Sequence, residues 1–276
     1  MGKFDGILIC TDLDGTLLKG DKTVSRENFE AIEYFKANGG LFSFVTGRMP
    51  VTTKKIIDMI KPNCPFGCIN GGGLYDFEKK KYVWRTYLSP EFVHLVKCAE
   101  EHIENIGYQA NTFDEVIFCR ENSAMARFRL LTGAPDIRQS VDMIEEPVAK
   151  IVFGDENPEN INLIEKLCLS HPLAHMFSFV RSERTLFEIL PKGISKATSL
   201  EKLAIHMGIS DEKTVALGDY NNDVEMLKRA GVGVAVANAC PEAKAAADYV
   251  TVSNEESAIA KVICDIESGK ILLGKS

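Results

Sequence analysis

The chain opens on a continuous apolar run, Gly6 to Cys10 (GILIC), which stops abruptly at the polar stretch TDLDGT. A run without polar alternation reads as a strand buried on both faces of a parallel sheet and feeding a loop. Ser25 then caps a predicted helix that places Phe29, Ile32 and Phe35 on one face and closes at Gly39 and Gly40. Two further apolar strands follow. Leu41 to Val45 ends in Thr-Gly-Arg, and Phe66 to Ile69 ends in Asn-Gly-Gly-Gly. Strand, helix and strand in alternation predict a parallel sheet covered by helices.

From about Tyr82 the pattern changes. A predicted helix from Pro90 to about Asn105 is followed by short strand-like pieces, including Glu115 to Cys119. Residues 149–155 read as a strand, 158–170 as a helix, and 177–190 as a hairpin turning at Ser182-Glu183. Hairpins mixed with helices predict an α+β insertion. After Pro191 the alternating rhythm returns, with a helix over 195–207, strand 214–219, helix 222–230 and strand 232–238. A short helix after Pro241, strand 249–252 and a last helix near 255–267 complete it. The expected fold is therefore α/β, a Rossmann-like parallel-sheet core made of 1–82 and 190–276, with a second α+β domain, 83–189, inserted between its halves.

A length of 276 residues suits two domains, and 45% hydrophobic with 26% charged residues is the balance of an ordinary soluble globular protein. The formal net charge of -7 argues against a nucleic-acid partner, which would need a basic stripe. It leaves room for a small phosphorylated ligand, because a metal ion and a lysine can hold an anion locally. The apolar run near the N-terminus lies among Lys3, Asp5, Asp12 and Asp14 and is too short for a signal peptide or membrane span. A cytoplasmic protein with no membrane partner is expected. The eight cysteines form no CxxC pair and mostly lie in apolar stretches, as buried reduced thiols would. The five histidines form no metal cluster, there is no P-loop, and 231–236 lacks the third glycine of a dinucleotide fingerprint.

Candidate chemistry collects in four groups, expected at the carboxyl ends of core strands, where open α/β sheets bind ligands. In Asp12-Leu13-Asp14-Gly15-Thr16, one carboxylate is a competent nucleophile toward phosphorus. A second, two residues on, can project to the same side and protonate a leaving group. An Asx-type turn is the plain alternative. Thr46-Gly47-Arg48 offers a hydroxyl and free amides to a phosphoryl oxygen, or is simply a strand-to-helix turn. Lys196, at the start of a helix, can neutralise phosphate and steady Asp12, whereas most lysines are solvated; Lys192 is a weaker candidate. Asp219 and Asp223, with Asn222 between them, suit a hard cation with oxygen ligands, Mg²⁺ above all. Helix capping would account for one of these acids and not both.

In this order the four groups resemble the haloacid dehalogenase-like hydrolase superfamily, and specifically its Cof-type phosphatases. The resemblance spans the chain: ICTDLDGTLL, FSFVTGR, CINGGGLYD, FEILPKGISKATSL and VALGDYNNDVEML. It implies a Rossmann-like core, a large α/β cap inserted between the second and third motifs, and hydrolysis of phosphate monoesters. Carried over by position, it makes Asp12 the nucleophile and Asp14 the acid and base. Thr46 with Gly47, Lys196 and Asn222 would bind the phosphoryl group. Mg²⁺ would be held by the Asp12 side chain, the Asp14 backbone carbonyl and Asp219, with Asp223 supporting it. Asn-Gly-Gly-Gly at 70–73 departs from the Asn-Gly-Ala usual in relatives, which bears on the cap hinge or substrate face. The leading expectation is a phosphatase of small metabolites such as sugar phosphates. A phosphotransferase or mutase would use the same intermediate, and a non-catalytic phosphate-responsive module would not need Asp14.

Overall fold

The computed structural model describes residues 2–274. Its first elements are β1 (Leu8–Thr11), α1 (Arg26–Ala37), β2 (Leu41–Phe44), α2 (Pro50–Ile60), β3 (Phe66–Cys68), β4 (Gly73–Asp76) and β5 (Lys81–Arg85). There follow α3 (Phe92–His102), β6 (Gly107–Asn111), β7 (Val116–Arg120), α4 (Ser123–Thr132), β8 (Ile137–Arg138), β9 (Lys150–Gly154), α5 (Pro158–Ser170), β10 (Phe177–Glu183) and β11 (Leu186–Pro191). Last come α6 (Lys196–Met207), β12 (Thr214–Gly218), α7 (Val224–Arg229), β13 (Val232–Ala235), α8 (Pro241–Ala246), β14 (Tyr249–Val250) and α9 (Ala258–Glu267). The chain divides into two compact units. One takes residues up to 47, 55–84 and 195 onward; the other takes 48–54 and 85–194.

The first unit is built on a parallel sheet in the order β14-β13-β12-β1-β2. Every residue of β1, β12 and β13 is buried, as strands covered on both faces must be. The Ser25 hydroxyl caps α1 by accepting from Asn28 N–H. The buried stripe of that helix is Asn28, Ile32 and Phe35, spaced i, i+4, i+7, so Phe29 lies outside it at 41% exposed, contrary to the expected face. Asn28 earns its buried place by accepting from Ala260 N–H of α9.

Two more expectations are corrected. β3 was expected to extend the parallel sheet. It instead pairs antiparallel with β4 in a separate three-stranded sheet, order β3-β4-β5, and keeps one parallel bridge, Val45 to Gly67. The strand is only three residues long, and the chain turns straight back through left-handed backbone at Ile69 and Asn70. The hairpin of β10 and β11 turns at Arg184-Thr185 rather than Ser182-Glu183, because an irregularity between Val180 and Glu183 shifts the register before the strands close.

The second unit holds a six-stranded sheet, order β10-β11-β9-β6-β7-β8, antiparallel except for β7 with β8. Its alternate positions divide by chemistry. Tyr108, Ala110, Ile151, Phe153, Phe187 and Ile189 share a core with Leu95 and Val96 of α3 and Ile161 and Ile164 of α5. The intervening positions carry buried polar groups, Gln109, Asn111, Lys150 and Glu188, and Lys150 Nζ donates to Glu188 at 2.7 Å. No helix among the described residues is long and apolar enough to cross a membrane.

Candidate active site

β1 and β12 lie side by side with Thr11 opposite Leu217. From β1 the sheet grows through β2 to one side, and from β12 through β13 and β14 to the other. The connections therefore reverse between these two strands, and ligands bind at the carboxyl ends of such a switch point. Asp12 follows β1 directly and Asp219 follows β12 directly. Asp12 N–H donates to Leu217 O at 2.9 Å, so the two loops leave the sheet together.

The loop after β1 is held tightly against the loop after β12. Gly15 has φ +85°, and a Cβ there would stand 2.5 Å from Asp219 Oδ2, so both the conformation and the approach require glycine. Thr16 Oγ1 donates to Asp219 Oδ1 at 2.8 Å. Asn238, after β13, donates to Gly15 O at 2.8 Å, and Cys240 N–H donates to Asp219 O at 2.8 Å.

Lys196 reaches this place by a different route from the other groups. As expected, it opens a helix, α6, but the strand before it is not a core strand: β11 belongs to the second unit's sheet. Ser195 caps that helix, its hydroxyl and Thr198 forming a reciprocal box. The Lys196 ammonium, 1% exposed, donates to Asp12 Oδ1 at 2.6 Å and Asp223 Oδ1 at 2.7 Å. Asp223, fully buried, also accepts at Oδ2 from the Asp219 and Tyr220 N–H groups. Both of its oxygens are engaged.

Asp12, Asp219 and Asp223 each offer a carboxylate oxygen within 4.8 Å of the others. Three carboxylates and one ammonium leave a formal surplus of two negative charges in a buried space. The consequence is visible in their proton affinities. Burial raises the Asp12 carboxyl well above the ordinary range; Lys196 opposes this, while Asp223 and Asp219 add to it. Burial, then Asp223, pushes Asp219 up to about 6 against the Thr16 hydrogen bond. Burial pulls the Lys196 pKa down, but Asp12 and Asp223 outweigh it and raise it. An oxygen-only donor set short of two positive charges fits a hard divalent cation.

The other expected residues sit apart from that cluster. The Asp14 carboxylate, 36% exposed, accepts from Lys22 Nζ at 2.7 Å. Thr46 is buried at the end of the segment after β2; its N–H donates to Gly67 O and its carbonyl accepts from Asn70 N–H. Gly47 packs on the Asn70 amide, and Asn222 Nδ2 donates to Asn70 Oδ1 at 3.2 Å. Lys192 is exposed. Sequence reasoning passed over Asn70, Asn238 and Lys22. For Asn70 a signal existed, since an asparagine opening a glycine run marks left-handed backbone; Asn238 and Lys22 had none.

A family model described as haloacid dehalogenase-like hydrolase matches residues 9–263. The chain is 28% identical over 262 residues to a 5-amino-6-(5-phospho-D-ribitylamino)uracil phosphatase of Bacillus subtilis (strain 168), covering 93% of this chain and 96% of the relative. To a pyridoxal phosphate phosphatase of Escherichia coli (strain K12) it is 28% identical over 277 residues, covering 93% and 97%. A solved haloacid dehalogenase-like hydrolase from Bacteroides thetaiotaomicron superposes with TM-score 0.81 at 27% identity, covering 94% of this chain and 99% of that one.

Proposed function

The chain belongs to the haloacid dehalogenase-like hydrolase family and is a phosphoric monoester hydrolase; from there we propose that it cleaves small phosphorylated metabolites, sugar phosphates or similar monoesters, through an aspartyl-phosphate on Asp12. The observation that carries this reading is the cluster of Asp12, Asp219 and Asp223 at the switch point of the sheet, with the buried Lys196 paired to Asp12 and Asp223.

An Asp12 carboxylate oxygen attacks phosphorus, and the bond from phosphorus to the leaving oxygen breaks as Asp14 gives that oxygen a proton. Water then attacks the same phosphorus and loses its proton to Asp14. The bond to Asp12 breaks, and inorganic phosphate leaves with Asp12 restored. Thr46, the Gly47 amide, Lys196 and Asn222 hold the phosphoryl oxygens, the arrangement that a loose, charge-spread transition state demands. Asp12, Asp219 and the Asp14 carbonyl would hold Mg²⁺, whose contribution when bound is to neutralise charge on the phosphoryl group. Asp223 steadies Lys196 and the Asp219 loop, since its two oxygens are committed there. Residues 83–189 serve as the cap that sets specificity; the polar face of its sheet, with Gln109 and Asn111, supports that role.

The test is phosphate release from a panel of phosphorylated metabolites, with and without exhaustive chelation. Release that chelation leaves undiminished would remove the metal from this scheme, and label retained on a second sugar would make the enzyme a transferase.

Metal and protons compete for the same oxygens, which gives a second expected result. Asp12 and Asp219 have folded-state pKa values above the unfolded value. Without metal, their contribution to stability is therefore present at low pH; that of Asp219 is lost as pH rises from the ordinary carboxylate range to about 6, and that of Asp12 as pH rises through its own raised pKa. Mg²⁺ replaces those protons. The rise in Tm on adding Mg²⁺ should be larger near pH 7.5 than about pH 5. Equal shifts at both would mean that these carboxylates are not the site.

A further inference from the structure

The turn Ile69–Gly71 carries backbone that a plain reversal between two strands does not require. Ile69 and Asn70 are consecutive non-glycine residues at φ +56° and +48°, and a β-branched residue at positive φ is an outlier. Both are completely buried, so this is no exposed loop tip. Strain of this kind persists only where surroundings over-determine it, and it gathers at functional sites.

The surroundings here are three of the loops that bear on the phosphoryl group. Asn70 N–H donates to Thr46 O at 3.0 Å. A Cβ on Gly47 would stand 3.0 Å from both Oδ1 and Nδ2 of Asn70. Across 152 residues of sequence, Asn222 Nδ2 donates to Asn70 Oδ1. Gly71 then presses so close to Ser195 that a Cβ would lie 1.7 Å from its carbonyl oxygen, one residue before Lys196.

We propose that Asn70 is a positioning residue for phosphoryl binding, its strained backbone aiming a neutral amide that orients Asn222 against the Thr46-Gly47 turn. This rests on the reading that Thr46 and Asn222 hold the phosphoryl group. Asparagine suits the task on two counts. It tolerates left-handed backbone better than other non-glycine residues, and its carbonyl accepts from Asn222 without bringing a negative charge near a transferring anion. Because it acts on the holding of phosphate and not on proton transfer, its loss should appear in affinity.

Asn70→Gly isolates the side chain, since glycine keeps the backbone bond to Thr46 and relaxes the positive φ. The expected result is a metal-free Tm equal to or above that of the parent, with KM and the inhibition constant for inorganic phosphate both weakened roughly tenfold. In a double-mutant cycle, adding Asn70→Gly to Asn222→Ala should cost little more than Asn222→Ala alone. Unchanged phosphate affinity in Asn70→Gly, or additive losses in the cycle, would overturn the proposal. A purely structural turn would lower Tm and leave the phosphate constant alone. Should Asn70→Gly fail to fold, Asn70→Asp keeps the shape and should weaken phosphate further through its charge; parental affinity there would overturn the idea equally. Calorimetry with Mg²⁺ and inorganic phosphate reads this even if the parent protein releases phosphate from no ester, a failure that would fall on the hydrolase mechanism instead.

Discussion

Asp12→Asn should abolish turnover, with kcat falling by roughly four orders of magnitude or more, because a neutral amide is a poor nucleophile toward phosphorus. The fold should survive. Three carboxylates cluster with a single ammonium, which pairs with Asp12 and Asp223, so removing one charge relieves repulsion, and the amide oxygen can still accept from Lys196. A metal-free Tm at or above the parent value, together with absent turnover, separates chemistry from stability. Asp14→Asn supplies the contrast. Asp14 is 36% exposed and its ion pair with Lys22 lies at the surface, so its loss should leave stability nearly unchanged. Rates should fall roughly a hundredfold to ten-thousandfold, the worth of one acid–base group. That loss should be greatest for alkyl phosphates, whose leaving alkoxide needs a proton, and smaller for an activated aryl phosphate. The measurement is kcat/KM for both variants on one ester of each kind at matched Mg²⁺. Equal losses of Asp14→Asn on both esters would remove the general acid. Substantial turnover in Asp12→Asn, once deamidation is excluded, would remove the nucleophile.

Lys196→Met is expected to damage stability and catalysis together. The lysine is 1% exposed and lies 2.6 and 2.7 Å from two buried carboxylates, which methionine would leave without their cation. Breaking a buried pair by deleting one partner costs about 3–5 kcal/mol, which is about 10 °C in Tm for a protein of this size. The deficit has a predictable pH dependence. Asp12 already binds its proton more tightly than an ordinary aspartate, and losing Lys196 tightens it further. The variant should therefore recover part of its stability as pH falls and Asp12 takes up its proton, and lose it again as pH rises through that raised pKa. Urea midpoints across that pH range, without metal, provide the check. Lys196→Met as stable as the parent at neutral pH would mean that the ammonium does not hold these acids. Its activity should be lost as well, since the same cation neutralises the phosphoryl oxygens.

How much of this was legible beforehand follows the range over which each feature is encoded. The strand Leu8–Thr11 and the acidic loop behind it lie within a few residues of each other, so an apolar run ending in Asp12-Leu13-Asp14-Gly15-Thr16 announces both. The same holds for Thr214–Gly218 with Asp219 and Asp223, and for Ser25 capping the helix it precedes. Alternation, capping and turn chemistry are local physics, and a local reading recovers them.

Partnership is different. Lys196 lies 184 residues from Asp12, and although the motif suggested that it steadies Asp12, its second partner Asp223 was not foreseen; Thr16 lies 203 residues from Asp219, and nothing near either marks the other. Phe29 outranks Asn28 in hydrophobicity, yet Asn28 is buried because Ala260 of a distant helix supplies a donor there. β3 is apolar enough for the main sheet, but its return through Ile69 and Asn70 hands its pairing to β4. That same strained turn sets Asn70 between Thr46 and Asn222. Periodicity along the chain records how one segment meets solvent. Which segments meet each other is settled by packing density and by buried polar groups finding partners, and both belong to the assembled fold.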